Sequence, residues 1–130
     1  MKPLKVLIPL AILSLTYNVA LLFSVTLNLN WAKSRAAGGQ YTEFPIGVRF
    51  VDFLMALFMC FLIRMLLEHR EKPMDEKGPT VTRIIGYTFF ISMFFQVISR
   101  SPYERLNAIP AAILAVTFIF ISRREQARQK

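Results

Sequence analysis

The stretch "RFVDFLMALFMCFLIRML", Arg49 to Leu66, decides the fold. It is almost all hydrocarbon, yet it holds an aspartate near one end and an arginine near the other. On a helix, Asp52 and Arg64 lie about 18 Å apart and point about 120° away from each other. They cannot pair, so each needs its own accommodation. The length suits a single crossing of a bilayer, which takes about 20 apolar residues.

A helical wheel divides the stretch in two. Phe50, Leu54, Leu57 and Phe61 form one stripe, and Arg64 continues it. Asp52, Met55, Met59, Ile63 and Leu66 form a roughly opposite stripe. The first suits a lipid-facing surface, with Arg64 running its stem along hydrocarbon to reach inner headgroups. The second, which carries Asp52, is expected to face protein. Arg49, three residues before Asp52, is placed to pair with it on the same helix face.

Working outward, three more apolar runs appear. "LKVLIPLAILSLTYNVALLFSVTLNLNW" begins at Leu4, "IIGYTFFISMFFQVIS" at Ile84 and "AIPAAILAVTFIFIS" at Ala108. The first is too long for the apolar core of a signal peptide and is read as a retained span. The glutamate-to-lysine order of Glu68 and Lys72 suggests that the second helix continues into water. Gly38-Gly39 reads as a turn. The chain is therefore expected to be an all-α integral membrane protein: one four-transmembrane-helix bundle with short loops. The spans fall at about 4–30, 48–68, 82–99 and 106–122, and a basic cytoplasmic tail fills 123–130.

Composition agrees. The 130 residues are 55% hydrophobic with 12 Phe, too greasy for an ordinary soluble domain of this size. The net charge of +8 raises the question of nucleic acid. The basic residues sit mostly in the gaps between apolar runs, which membrane topology explains directly, so no nucleic-acid partner is expected. Eleven Lys and Arg fall on the side of the two termini and the central loop, against five on the other side. That bias puts both termini in the cytoplasm and suits a bacterial inner membrane. Trp31, Tyr41 and Tyr103 fall at the outer boundary, where interfacial aromatics gather. Trp31, Arg64, Arg123 and Arg124 are the expected headgroup anchors.

Polar stripes on the other spans show where helices meet. Thr88, Ser92, Gln96 and Ser99 form one on the third run, Asn107, Ala111 and Ala115 one on the fourth, and Ala11, Ser14 and Asn18 one on the first. Lipid offers no hydrophobic force between helices, so small and polar residues mark the contacts. The alternating direction of the spans gathers Asn18, Asp52, Gln96 and Asn107 in the middle and outer half, with Arg49, Glu104 and Arg105 near the rim. Together these seven residues are the candidate pocket for a ligand or ion.

Much chemistry is missing. Cys60 alone makes no disulfide or redox pair, and His69 alone makes no metal or haem site. No P-loop, nucleophile elbow or dinucleotide fingerprint occurs. No cofactor or metal is expected. The leading expectation is a non-enzymatic accessory or assembly subunit, self-associating or bound to a larger membrane protein. The alternative is a small oligomeric transporter or channel that uses Asp52 for a cation or small solute.

Overall fold

The computed structural model describes residues 2–33, 35–36 and 42–130. Tyr41 and the Gly38-Gly39 turn lie outside the described residues. The described chain is all-helical: α1 Leu4–Thr26, α2 Asn30–Lys33, α3 Ile46–Glu68, α4 Gly78–Val97, α5 Pro102–Leu106 and α6 Ala108–Gln129. The segments 4–26, 46–68, 78–97 and 102–129 are each long and apolar enough to cross a membrane. A four-helix bundle results, with both termini at one end.

α1 stops four residues before the sequence suggests, and Asn28 is the reason. It adopts φ 58, the left-handed region that asparagine tolerates better than most residues. The Leu29 N–H donates to the Ser24 carbonyl and the Asn28 N–H to that of Val25, both at 2.9 Å. This paired arrangement closes a helix with its free carbonyls satisfied. The Asn28 side chain then accepts the Phe44 N–H at 3.0 Å, tying the return of the chain to the turn. Phe44 and Ala32 bury against Leu21 and Val25 as a small second core.

α3 begins after Pro45 and ends at Glu68 instead of running on through Lys72. The residues beyond it fold back over the end of α6. The α4 start moves forward to Gly78, with Pro79 in the first turn, where its missing N–H is harmless. Ser101 caps α5, accepting the Glu104 N–H at 3.3 Å, and Pro102 occupies the first turn. Residues 123–130, expected as a tail, are mostly the last turns of α6.

α4 packs most closely on α6, α1 packs on both α3 and α6, and α3 and α4 make almost no close backbone contact. Half of the α6 span is buried, against 22–28% of the others, so α6 is the central element. Gly86 explains the tight α4–α6 approach: a β-carbon there would lie 2.8 Å from Ile119 Cγ1 and 3.2 Å from the Ala115 carbonyl oxygen. The main core joins Leu15 of α1, Leu62 of α3, Ile85 of α4 and Leu114 of α6. Phe89 and Phe118 stack within it, ring centroids 6.0 Å apart. The stripe Phe50, Leu54, Leu57 and Phe61 points outward, as do Phe90, Phe94 and Val97. Ala56, Met59, Leu62 and Leu66 form the buried face of α3.

Candidate polar pocket

α1 and α3, α4 and the start of α6 converge, at the end away from the termini, on a pocket of about 190 Å³. Asn18, Asp52, Gln96, Glu104 and Asn107 all line it, together with Arg35 and Ser92. Five of the seven residues expected at such a site are thus brought together. Each arrives by the periodicity of its own helix. Asn18 lies one turn beyond the buried Ser14 and donates to its carbonyl at 2.8 Å. Asp52 lies one turn before the buried Ala56. Gln96 lies two turns beyond Phe89 on the face of α4 that meets α6.

Asn107 is the best-held member. It is 4% exposed. Its Oδ1 accepts the Tyr17 hydroxyl, and its Nδ2 donates to the Arg35 carbonyl at 3.0 Å. One amide therefore links α1, the first long loop and the start of α6. Glu104 accepts the Ser99 hydroxyl at 2.6 Å.

The Arg35 guanidinium lies over the rings of Trp31 and Tyr103, at 5.5 and 4.7 Å from their centroids, and donates to the Trp31 carbonyl at 2.8 Å. A guanidinium flanked by aromatic faces is held by attraction to the ring quadrupoles. Arg35 was not foreseeable, because a loop residue has no periodicity to place it. Tyr17 carries a signal of its own: a phenol deep in an apolar run needs a hydrogen-bond partner.

Two expected members are elsewhere. Arg49 does not pair with Asp52. Its Nε donates to the Thr26 carbonyl at 2.7 Å, and the Thr26 hydroxyl donates to the Arg49 carbonyl at 3.3 Å. The negative end of the α1 dipole draws the guanidinium there. Arg105 is exposed and donates to the carbonyls of Ser99 and Arg100, closing off the chain after α4. Thr88, at the start of the α4 polar stripe, is exposed and donates to the Ile84 carbonyl of its own helix.

The expected headgroup anchors also divide. Arg64 and Arg123 are exposed, and Trp31 is 38% exposed. Arg124 turns inward instead. It is 9% exposed and donates to the carbonyls of His69 and Arg70 and to Glu125. The carbonyls left over where α3 ends recruit it.

With these partners assigned, Asp52 and Gln96 still lack donors. Asp52 makes no hydrogen bond or ion pair among the described residues. The Gln96 Oε1 is buried without a donor. An unmatched carboxylate and an unmatched amide oxygen lining one pocket are suited to a cation or a strong hydrogen-bond donor. No group of three metal-ligating side chains occurs among the described residues.

Beneath the pocket the middle of the bundle is packed. Leu15, Leu62, Leu114 and Phe118 are each fully buried across its middle. No family model, curated protein or solved structure matches this chain.

Proposed function

We propose that this chain is an integral membrane protein, both termini cytoplasmic, that serves as an accessory subunit of a larger membrane protein. The partner docks along the seam between α3 and α4 and brings a cationic or strongly donating side chain to Asp52. One observation carries this reading: Asp52 on α3 and Gln96 on α4 line the same pocket, on either side of that seam, and neither the Asp52 carboxylate nor the Gln96 Oε1 finds a donor among the described residues. Ionisable groups inside a bilayer pair with one another or mark a pathway. A second copy docked symmetrically through the same seam sets one Asp52 against another, which disfavours a homodimer there. The bias of Lys and Arg to the end that carries both termini supports the orientation.

The second reading is an oligomeric carrier or channel in which Asp52 takes a cation. The same donorless acceptors favour it. The packed middle of the bundle counts against a path through a single chain.

The test is Asp52→Asn in the full chain, purified from native membranes in mild detergent. A photo-crosslinking residue at Met55, beside the pocket, or at Leu57, on the outward stripe, maps the contact. The expected result is one partner crosslinked from Met55 and not from Leu57, with retention weakened at least about thirtyfold by Asp52→Asn. Retention unchanged by the substitution overturns the reading. Cation flux in proteoliposomes of the chain alone, abolished by Asp52→Asn, favours the carrier.

A further inference from the structure

At the opposite end of the bundle, a second concavity of about 490 Å³ opens between the start of α1, the chain just after α3 and the end of α6. Lys5, Arg70, Arg124 and Arg128 line it, with Leu4 and Ile8 from the first turns of α1. Glu71 is the only carboxylate among the lining residues. Glu125 lies behind them, fully buried, and takes Arg124 at 2.9 Å and Arg128 at 3.0 Å. Two cations are matched in this way and two are left over, against one carboxylate.

The arrangement is built, not incidental. Arg124 is held by three partners, so its remaining N–H groups are fixed in direction. Lys5 and Arg70 make no hydrogen bond or ion pair with their side chains among the described residues. Leu4 and Ile8, one helical turn apart, border the concavity but are each only 3% exposed. Four cationic groups gathered in one concavity at the end of membrane-length helices match an amphiphile with an anionic head. The larger cavity between α3 and α4, about 580 Å³, differs. There Glu68 and Asp75 balance Arg64 and Lys77, leaving no excess of charge.

We infer that this concavity is a binding site for the phosphodiester headgroup of an anionic phospholipid. Lys5 and Arg70 contact the phosphate, and Arg124 and Arg128 border it. Basic pockets between helices at the cytoplasmic side of a membrane recognise such headgroups. The inference rests on the membrane placement proposed above but not on the partner at Asp52.

The test titrates the detergent-purified full chain with phosphatidylglycerol, phosphatidylcholine or soluble glycerol phosphate, reading bound adducts by native mass spectrometry. Phosphatidylglycerol is expected to bind more tightly than phosphatidylcholine. The double variant Lys5→Gln/Arg70→Gln is expected to lose on the order of thirtyfold, at about tenfold or less per cation. The charge-matched control Lys77→Gln/Arg83→Gln removes two exposed cations that lie outside the concavity and is expected to retain binding. Equal affinity for the two lipids in the unaltered chain overturns the inference, as does an equal loss in control and test variants. Glycerol phosphate competing as well as the whole lipid overturns the lipid as occupant. Recovery of the chain in the soluble fraction of cells would instead overturn the membrane placement itself.

Discussion

Glu125 offers the sharpest test of how this fold is held. It is fully buried, yet the sequence places it in a run of arginines that reads as a solvated tail. Its Oε2 accepts the Met74 N–H at 2.9 Å. Its Oε1 accepts from Arg124 Nε at 2.9 Å and from Arg128 Nη1 at 3.0 Å. Arg124 in turn donates to the carbonyls of His69 and Arg70. The network therefore fastens the loop between α3 and α4 to the end of α6. Replacing Glu125 with alanine removes all three bonds and leaves Arg124 buried without its counter-charge. Breaking a buried ion pair from one side costs about 3–5 kcal/mol. The Arg128 side chain is 39% exposed and rehydrates, so its share is at the weak end, about 0–1 kcal/mol. Arg124 and the orphaned Met74 N–H carry the rest. Glu125→Gln keeps the shape and an acceptor and is expected to cost less than Glu125→Ala.

The assay is unfolding in mixed detergent with increasing dodecyl sulfate, followed by circular dichroism. A parallel trypsin digest reads the loop itself, since Arg70 and Lys77 are cleavage sites within or beside it. Glu125→Ala is expected to lower the free energy of unfolding by about 3–5 kcal/mol. Cleavage at that loop is expected to rise before the bundle unfolds. A loss under about 1 kcal/mol, with trypsin sensitivity unchanged, refutes the claim that this network holds the loop.

Two further outcomes follow from the packing and the turn. Gly86→Ala places a methyl group against Ile119 and the Ala115 carbonyl and is expected to cost about 1–3 kcal/mol in the same unfolding assay. Adding Ile119→Ala is expected to recover part of that loss, and a double-mutant cycle with no coupling counts against the contact. At the left-handed turn, Asn28→Gly keeps the backbone and loses only the Phe44 N–H contact, whereas Asn28→Val adds strain of about 1–2 kcal/mol. Equal stability of the two variants is inconsistent with a turn that depends on positive φ.

Long apolar runs are a one-dimensional property, so the helices were legible without a structure. The same holds for the outward faces: Phe50, Leu54, Leu57 and Phe61 recur at helical spacing and do point outward. The convergence of Asn18, Asp52, Gln96, Glu104 and Asn107 was legible too, because helical period and alternating direction together fix face and depth. Helix ends were read less well. The stop at Asn28 and the start at Gly78 depend on single-residue backbone geometry, which hydropathy averages away.

What the residues alone determined is where apolar surface lies and which polar side chains share a level. The partners of those side chains were decided only in three dimensions. Arg49 was expected beside Asp52 because they share a helix face, but the free carbonyls at the end of α1 lie within its reach. Arg124 was expected in headgroups, but the end of α3 and the buried Glu125 offer it more acceptors. A long guanidinium takes whichever acceptors the tertiary packing brings closest, and its own sequence neighbours do not specify which those are.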